Sequence, residues 1–270
     1  MVIPFYKYQG TGNDFVVINS FQDKMLDLDI SKIQHICSRK FGVGSDGLII
    51  IKESSRYHFK MDFYNPDGSQ SFCGNGARCA VHFAFTSNVI TENPCVFEAI
   101  DGAHKAFVCQ DEVKIEMSNI GLIERIDASQ QSKKMKDSYF LNTGSPHFAS
   151  YVNNISDLES ILEIGQEIRF SEAYKKNGVN VNLMFKQGLN AIEMRTYERG
   201  VEGETLSCGT GATACALIHA NQKDFQGKIV EVKTRGGDLK VSFDKSASGD
   251  FSNVFLIGPA KQIFNGQIEI

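Results

Sequence analysis

Two cysteines in this sequence stand directly before glycine-rich segments that resemble each other. The first segment reads CGNGARCA from Cys73, and the second reads CGTGATACA from Cys208. A thiol at the start of a helix lies beside backbone N–H groups that have no partner within the helix, and these groups favour the thiolate. Glycines in the first turn leave the N–H groups accessible to a bound carboxylate. Each motif therefore combines a group that can transfer a proton with an anion site.

Two such thiols on opposite sides of one small molecule are suited to inverting an α-carbon. One group removes the proton from one face, and a second, protonated group delivers a proton to the other face. The N–H groups of two helix starts would stabilise the charge that develops on the carboxylate. We predict that Cys73 and Cys208 are this pair. The other cysteines stand in patterns typical of core residues, and they are Cys37, Cys79, Cys95, Cys109 and Cys215.

Other functions also use activated thiols or glycine-rich helix starts. A redox disulfide between Cys73 and Cys208 is compatible with the sequence, and so is a non-catalytic amino-acid-binding or thiol-redox protein. The segment GTGATA also fits a dinucleotide-binding pattern. That pattern requires a strand directly before it, however, and here the loop from Arg199 to Cys208 intervenes. The helical spacing of the cysteines disfavours a zinc site.

The sequence repeats itself at a nearly constant offset. The two motifs lie 135 residues apart, 208 minus 73, which is half of the 270-residue chain. GVGSDGLIIIK from Gly42 resembles GVNVNLMFK from Gly178, and FEAIDGAHKAF from Phe97 resembles VEVKTRGGDLKVSF from Val230. Collinear similarity predicts two homologous halves. We place them at residues 1–127 and 128–270, joined near the polar stretch DASQQSKKMKDS, with the final strand free to return to the first half.

Most segments of both halves have the pattern of strands. β-branched and aromatic residues predict strands at FVVINS, GLIIIK, YHFKMDFY, PCVFEAI, KAFVC and VKIEM, and then at NVNLMFK, NAIEMRTYE, KIVEVKT, DLKVSF and NVFLIG. Amphipathic helices are predicted at DISKIQHICSRK and ISDLESILEIGQ. The segments after the cysteine motifs, 77–87 and 212–221, are apolar on nearly all sides, which predicts buried helices. The fold class is thus α+β, with a curved sheet around one central helix in each half.

The composition gives no sign of a nucleic-acid or membrane partner. The chain has 28 basic and 32 acidic side chains and a net charge of −4, without the basic stripe that follows nucleic-acid phosphates. No apolar run approaches the roughly 18 residues of a membrane helix. Seven cysteines, an odd number, predict free thiols, and the absence of a leader pattern adds the expectation of a cytoplasmic protein. We expect a small-molecule substrate and no nucleic-acid or membrane partner.

Six segments, in order along nearly the whole chain, resemble the diaminopimelate epimerases. They read GTGNDFVVI, GVGSDGLI, FYNPDGSQSFCGNGARC, NTGSPHF, GVNVNLM and TYERGVEGETLSCGTGATA. The resemblance implies that Cys73 and Cys208 are the paired acid and base of a cofactor-independent isomerase. This isomerase interconverts L,L- and meso-2,6-diaminopimelate in lysine and peptidoglycan biosynthesis. The resemblance also implies two pseudo-symmetric halves, each a mostly antiparallel, barrel-like sheet around a buried helix, a homodimer, and no pyridoxal phosphate or metal.

The same resemblance implies roles for further residues. The backbone cradle for the reacting carboxylate would comprise Gly74, Asn75, Gly209 and Thr210. The substrate would also contact Asn13, Asn65, Asn180, Glu198 and Arg199, and the thiol pKa values would be tuned by His147 and Glu198. Many members of the family have glutamine in place of Gly47 and asparagine in place of Ser145, and both differences remove an amide from the set that contacts the substrate.

Alternatives remain open for single residues and for the substrate. From the sequence alone, Asn13 and Asn65 are also compatible with shaping loops, and His147 with a structural role. Glu198 and Arg199 are adjacent and would also suit a solvated pair. A proline or hydroxyproline racemase, which uses paired cysteines on a related fold, is the nearest enzymatic alternative.

Overall fold

The computed structural model describes residues 1–21, 28–118, 120–127, 135–155 and 161–270. The first elements in chain order are β1 (Val2–Gly10), β2 (Asn13–Asn19), α1 (Ile30–Cys37), β3 (Gly47–Lys52), β4 (Phe59–Tyr64), α2 (Gly74–Thr86), β5 (Cys95–Ala99), β6 (Gly102–Cys109) and β7 (Glu112–Glu116). They are followed by β8 (Glu124–Ile126), β9 (Met135–Asn142), β10 (Pro146–Val152), α3 (Leu162–Arg169), β11 (Asn180–Lys186), β12 (Ala191–Glu198) and β13 (Gly203–Thr205). The last elements are α4 (Gly209–Ala220), β14 (Ile229–Thr234), β15 (Gly237–Lys245), β16 (Phe251–Pro259) and β17 (Lys261–Glu269).

The chain divides into two compact units. Unit 1 consists of residues 1–116 and 258–270, and unit 2 consists of residues 117–257. The last strand, β17, belongs to unit 1, where it pairs with β1. Residues 128–134 of the predicted joint lie outside the described residues. The division into halves at 1–127 and 128–270 therefore stays a prediction.

In unit 1 the strands enclose the helix α2. Strand β1 is antiparallel to β17 and β2, β2 is parallel to β3, β3 is antiparallel to β4, and β4 is parallel to β5. Strands β5, β6 and β7 follow as antiparallel neighbours. Helix α2 packs against β1, β2, β3, β4, β6, β7 and β17. Its buried alanines allow this close approach, and aromatic side chains of the strands, such as Phe15, Phe59 and Phe97, complete the core.

Unit 2 encloses the helix α4 in the same way. Strand β9 is antiparallel to β10, β10 is parallel to β11, β11 is antiparallel to β12, and β12 is parallel to β14. Strands β14, β15 and β16 follow as antiparallel neighbours. Helix α4 packs against β9, β10, β11, β12, β14 and β15. All of its residues are buried except Thr210, which is partly exposed. A helix without a polar face is stable only in such an enclosure.

Both sheets have the same order of pairings. From β1 and from β9, successive pairs are antiparallel, parallel, antiparallel, parallel, antiparallel and antiparallel. The shared order confirms the repeat that the sequence predicts. It also confirms the α+β class, with a mostly antiparallel sheet around a buried central helix in each unit.

The predicted elements agree with the structure except in a few places. All eleven predicted strands and both motif helices have counterparts among the described elements. The helix predicted over 155–166 overlaps α3, Leu162–Arg169, which ends three residues later than predicted; residues 156–160 lie outside the described residues. Six strands were not predicted. Two of them, β8 and β13, have only three residues each, which is too few to show a period; the other four are β1, β9, β10 and β17. They lack a clear two-residue alternation, and β1 and β10 also contain a proline near their start.

The cysteines are free thiols, as predicted. Four of the five assigned to the core, Cys37, Cys79, Cys95 and Cys215, are buried. The prediction for Cys109 is wrong, because this residue is exposed. It ends β6 just before the hairpin turn to β7, where the strand leaves the core.

Helices long and apolar enough to cross a membrane are absent from the part of the chain that the structure describes.

Candidate active site

In unit 1 the candidate site is built around Cys73, the N-cap residue of α2. Its backbone is extended, with φ −126° and ψ 111°, so the side chain turns back over the first turn of the helix. The Gly76 N–H donates to Cys73 Sγ at 3.4 Å. The Cys73 side chain is partly exposed, whereas Gly74 and Asn75 behind it are buried. A sulfur that accepts an N–H at a helix start is in a position that favours the thiolate.

Asn13, at the start of β2, lies beside this thiol. Cys73 Sγ donates to Asn13 Oδ1 at 3.9 Å, and Asn75 Nδ2 donates to the same oxygen at 3.3 Å. On its other side, Asn13 Nδ2 donates to Asp46 Oδ2 at 2.6 Å. The carboxylate therefore fixes which way the amide points. Asn13 has the position that the sequence predicts, and its contact with a substrate stays a prediction.

A charged cluster supports Asn13 from behind. The Arg39 guanidinium contacts both Asp46 and Asp14 at 2.7 Å, and Lys7 Nζ lies 2.5 Å from Asp14. Burial would raise the pKa of Asp14, but its hydrogen bonds with Arg39 and Lys7 outweigh this effect and lower the pKa to about 2. Asp14 is therefore ionised over the whole physiological range. The cluster holds the Gly10–Asn13 turn and the segment that precedes β3 together.

The side chain of Asn65 has different hydrogen-bond partners from that of Asn13. Its Nδ2 donates to the Ser69 carbonyl at 3.3 Å, to Ser69 Oγ at 3.0 Å and to Ser71 Oγ at 3.3 Å. The Asn65 N–H also donates to the Ser69 carbonyl, at 2.8 Å. Asn65 therefore shapes the loop that leads from β4 to Cys73. Its turn-forming neighbours indicate this role, and the predicted contact of Asn65 with a substrate stays a prediction.

In unit 2 the second candidate thiol, Cys208, repeats the backbone geometry of Cys73. Its φ of −124° and ψ of 112° again make it the N-cap of a buried helix, α4. The side-chain surroundings differ, because Cys208 makes no side-chain cap hydrogen bond to the described α4 and its sulfur lies 3.5 Å from Thr210 Oγ1. Cys208 is only 7% exposed. The two motifs thus share a backbone arrangement but place their sulfurs in different environments.

A buried polar network lies under the start of α4. His147 Nδ1 and Asn182 Nδ2 are 3.1 Å apart, and Asn182 Oδ1 accepts from Thr196 Oγ1 at 2.9 Å. Burial, with the Arg199 charge as a smaller cause, lowers the pKa of His147 to about 3. The imidazole is therefore neutral near pH 7. A Cβ added to Gly211 would lie 2.6 Å from Asn182 Oδ1, so the network directly supports the first turn of the helix.

Asn180 and Arg199 meet at the adjacent ends of β11 and β12. Asn180 Oδ1 accepts from the Arg199 N–H at 2.8 Å, and Arg199 Nη1 donates to the Asn177 carbonyl at 2.7 Å. Gly178, with φ +71°, allows this packing, because a Cβ there would lie 2.5 Å from Arg199 Cδ. The guanidinium of Arg199 is exposed, and the neighbouring Glu198 is partly exposed. Their contacts with a substrate stay predictions.

Among the residues of these surroundings that the sequence did not single out are Asp46 and Asn182. For Asn182 a signal exists, since it follows Asn180 by two residues on one strand and therefore shares its face. Asp46 has no comparable signal, because its role depends on a partner 33 positions away, Asn13. Gly47, next to it, is packed against Phe63: an added Cβ would lie 2.4 Å from the ring. A larger side chain at position 47, such as glutamine, would require the Phe63 ring to move.

No group of three or more His, Cys, Asp and Glu side chains that could hold a metal ion is found among residues 1–21, 28–118, 120–127, 135–155 and 161–270. Each unit instead offers a thiol at a helix start together with backbone N–H groups of the first turn. These are the N–H groups of Gly74 and Asn75 in unit 1 and of Gly209 and Thr210 in unit 2. A thiol at a helix start can exchange a proton with a carbon acid, and N–H groups of the first turn can stabilise the carboxylate attached to that carbon.

The chain is similar to one family across both units. A family model described as Diaminopimelate epimerase matches residues 5–123 and 139–263. The chain is 41% identical over 266 residues to the diaminopimelate epimerase of Flavobacterium psychrophilum, with 97% of this chain and 99% of the relative covered. It is 38% identical over 277 residues to the diaminopimelate epimerase of Aquifex aeolicus, with 98% of this chain and 97% of the relative covered.

Solved structures share the fold at much lower sequence identity. A phenazine biosynthesis protein of the PhzF family from Bacillus anthracis aligns with a TM-score of 0.79 at 13% identity, over 100% of both chains. A hydroxyproline epimerase from Agrobacterium vitis, with bound trans-4-OH-L-proline, aligns with a TM-score of 0.68 at 15% identity, over 99% of this chain and 92% of the other. At such identities the likeness shows the fold alone.

Proposed function

The chain belongs to the diaminopimelate epimerase family, and we propose that Cys73 and Cys208 carry out the reaction of that family as a pair of acid and base. The protein is an isomerase that interconverts L,L- and meso-2,6-diaminopimelate, a reaction of lysine biosynthesis. Relatives that bear this name are 41% and 38% identical to it along nearly their whole length. The two-base mechanism is our proposal.

One observation carries the proposal: two cysteines cap two buried helices with nearly the same backbone angles. Cys73 has φ −126° and ψ 111°, and Cys208 has φ −124° and ψ 112°. The repetition of the thiol together with its neighbouring glycines supports a chemical role for both thiols. Inversion of a carbon requires two proton-transfer groups, one for each face.

The reaction then proceeds by proton transfer at the α-carbon. One sulfur, as thiolate, removes the α-proton, and the electron pair of the broken C–H bond moves toward the α-carboxylate. The second sulfur, as thiol, donates its proton to the opposite face of the carbon and becomes the thiolate. The N–H groups of Gly74 and Asn75, and those of Gly209 and Thr210, would hold the carboxylate while its charge increases. The reverse reaction exchanges the roles of the two thiols.

The remaining predicted residues would orient the substrate and tune the thiols. The exposed guanidinium of Arg199 can bind a carboxylate with two hydrogen bonds. Asn180 would support it by fixing the Arg199 backbone. His147 is neutral near pH 7, so any effect on the thiol pKa would pass through the hydrogen bond with Asn182 rather than through a positive charge. Glu198 would act through its negative charge.

Assays with two substrates test the assignment against its nearest alternative. We expect the purified chain to interconvert L,L- and meso-diaminopimelate and to leave proline and hydroxyproline unchanged. Turnover of proline alone would contradict the substrate. A protein that binds diaminopimelate without turnover would indicate the non-catalytic alternative.

We also propose that the protein forms a homodimer and is located in the cytoplasm. A homodimer is supported by exposed apolar side chains on the paired strands β1 and β17: Val2 is 57% exposed, Ile263 53% and Phe264 48%. A cytoplasmic location is supported by seven free thiols in a chain without a disulfide. Sedimentation tests the dimer, since a species of 29.9 kDa at micromolar concentration would contradict it.

A further inference from the structure

The hairpin that joins β12 to β13 carries Arg199, the residue expected to bind a carboxylate of the substrate. Glu198 and Gly203 lie opposite each other at the ends of the two strands, so the loop consists of residues 199–202. The Glu202 N–H donates to the Glu198 carbonyl at 2.9 Å and closes this loop. Arg199 is exposed. An exposed loop presents an arginine in one place only where further contacts hold the loop.

The carboxylate of Glu202 turns back onto its own loop. Its Oε1 accepts from the Gly200 N–H at 3.2 Å. On the other side of Arg199, the Arg199 N–H donates to Asn180 Oδ1 at 2.8 Å. The two peptide groups that flank Arg199 are therefore each held by a side chain.

The same carboxylate connects the loop to α3. Arg169, the last residue of α3, donates from Nε to Glu202 Oε1 at 3.2 Å, and its Nη2 lies 3.0 Å from the same oxygen. The buried Tyr197 donates its hydroxyl to Glu202 Oε2 at 3.0 Å. Helix α3 packs closely on this tyrosine, because a Cβ added to Gly165 would lie 2.4 Å from the ring. Both oxygens of Glu202 are thus bound to elements whose positions are fixed by packing.

The backbone of Glu202 has an unusual conformation that these contacts maintain. Its φ is +53°, in the left-handed region that favours glycine. A residue with a side chain persists in this region only where the surrounding structure compensates for the strain. The hydrogen bonds of the carboxylate with Gly200, Arg169 and Tyr197 provide that compensation. The position therefore keeps a glutamate at a backbone cost.

Glu202 also pairs one of two neighbouring arginines. A Cβ added to Gly178 would lie 2.5 Å from Arg199 Cδ and 3.0 Å from Arg169 Cζ, so both side chains reach the same place. Two cations that are close together repel each other. Arg169 is paired with Glu202, and its side chain is only 14% exposed. Arg199 is exposed, and its Nη1 donates to the Asn177 carbonyl at 2.7 Å. The pairing leaves Arg199 as the cation that an incoming carboxylate meets.

The matching loop of unit 1 has proline, not arginine, at this place. The sequence Tyr64-Asn65-Pro66 corresponds to Tyr197-Glu198-Arg199 at an offset of 133, 197 minus 64. In that loop Asp67 Oδ1 accepts from the Ser69 N–H at 2.8 Å, so this carboxylate stabilises its own turn. An arginine, and a carboxylate that ties its loop to a helix, are features of the loop in unit 2.

We propose that Glu202 is a positioning residue for substrate binding, which holds the loop 199–202 so that Arg199 meets the carboxylate of diaminopimelate that does not react. This inference rests on the proposed function, in which N–H groups at the starts of α2 and α4 hold the reacting carboxylate. Arg199 then binds the other carboxylate, at the end of the substrate where no proton moves. A residue that acts only there changes how tightly the substrate binds rather than how fast the bound substrate reacts.

The test is the separate measurement of KM and kcat in two variants of the full chain. Glycine adopts a positive φ without strain, so E202G removes the carboxylate and keeps the backbone conformation accessible. We expect its KM for L,L-diaminopimelate to rise about tenfold while kcat stays within about threefold of the unaltered protein. E202Q keeps an acceptor oxygen but removes the charge that pairs with Arg169, and its KM should rise about threefold. An unchanged KM in both variants, or a fall in kcat at unchanged KM, would overturn the proposal.

Glu204, two residues further along the chain, provides the matched control. Its carboxylate lies 2.6 Å from Arg195 Nε and 2.9 Å from Arg235 Nη1, and its side chain is 13% exposed against 34% for Glu202. E204Q therefore disturbs an ion pair of unit 2 that is more buried, without changing the contacts of the loop 199–202. We expect its KM to stay within about twofold of the unaltered protein. A rise equal to that of E202Q would show a general structural effect and overturn the proposal.

Amide hydrogen exchange, followed by NMR in the full chain, tests the hold on the loop without any turnover. The Gly200 N–H should exchange slowly in the unaltered protein and at least about tenfold faster in E202G. Fast exchange in the unaltered protein, or equal rates in the two proteins, would overturn the proposal even if a variant failed to fold.

These readouts separate failure of the inference from failure of the proposed function. A chain that epimerises no diaminopimelate would contradict the function, while the exchange of the Gly200 N–H would still decide whether Glu202 holds the loop. Epimerisation of diaminopimelate with the same KM in E202G and the unaltered protein would leave the function intact and contradict the role of Glu202.

Discussion

The starts of α2 and α4 share a backbone but not a chemical environment. The N-cap angles of Cys73 and Cys208 agree within 2° in φ and 1° in ψ, as −126° and 111° compare with −124° and 112°. Cys73 accepts an N–H from its own first turn and lies beside the amide of Asn13. Cys208 lies beside a hydroxyl group and above a neutral histidine network. The repeat therefore gives the two thiols the same backbone position, while the side chains around each sulfur differ.

The largest effect should come from removing either sulfur. In C73S and C208S a serine hydroxyl replaces a thiol and is too weak an acid and base for this proton transfer. We expect each variant to lower kcat for diaminopimelate by about a thousandfold or more. The exposed Cys109 provides the control, since C109S should retain the activity of the unaltered protein. If one of the two variants kept more than a tenth of the activity, the proposal that both thiols are required would be wrong.

The matching glycines of the two motifs give a sharper contrast. A Cβ at Gly211 would lie 2.6 Å from Asn182 Oδ1, whereas a Cβ at Gly76 meets nothing closer than 3.5 Å. Asn182 is buried and held by Thr196 and the Phe148 carbonyl, so it cannot move away easily. We expect G211A to lose about 1–3 kcal/mol of unfolding free energy, measured by urea titration. G76A is its control and should change stability by less than about 1 kcal/mol; equal losses would contradict the packing described for unit 2.

Lowering the pH should reduce the stability contributed by His147 of unit 2 and by Asp14 of unit 1 in different pH ranges. Burial holds the pKa of His147 at about 3, below its ordinary 6.5, so the folded state binds this proton less well than the unfolded chain does. Its contribution to stability is complete above pH 6.5 and is lost as the pH falls toward 3. The pKa of Asp14 is also lowered, to about 2 from 3.8, so its contribution is lost only below about pH 4.

Urea titrations between pH 7.5 and 4 test this difference. We expect His147 to lower the stability of the unaltered protein by at most about 1.4 kcal/mol per pH unit below pH 6.5. H147Q should have a shallower slope in this range, because glutamine binds no proton. D14N serves as the control, since its slope should differ from that of the unaltered protein only below pH 4. Parallel curves for H147Q and the unaltered protein would contradict the assignment to His147.

The smallest effect should come from the carboxylate that orients Asn13. D46A removes the acceptor of the 2.6 Å hydrogen bond, and the amide can then turn away from Cys73. Because the Asp46 side chain is 41% exposed, stability should change little. We expect kcat to fall by roughly five- to tenfold. D224A removes an exposed carboxylate that pairs with Lys186 in unit 2, and it should leave kcat unchanged. A D46A variant with full activity would show that the orientation of Asn13 does not matter.

The sequence predicted those elements that recur in both halves or whose apolar residues follow the period of a helix or a strand. Both buried helices could be predicted because small apolar residues follow Cys73 and Cys208 on all sides, and the repeat predicted two sheets of one topology. Strands β1 and β17 could not be predicted in this way, since their side chains mix polar and apolar types and their pairing joins residues near opposite ends of the chain. The residues that support the site were harder still to predict from the sequence. Asp46 and Asn182 act through contacts with distant partners, and a residue type in isolation does not reveal such contacts.

The central claim is that two thiols exchange protons with one carbon from opposite faces. Its most direct test is a single-turnover reaction in D2O, started separately from L,L- and from meso-diaminopimelate, with deuterium measured at the α-carbon of both isomers. The account predicts that the product contains deuterium while recovered starting material contains almost none, in both directions. Equal early labelling of starting material and product would indicate a single base that exchanges with solvent and would contradict the paired roles of Cys73 and Cys208.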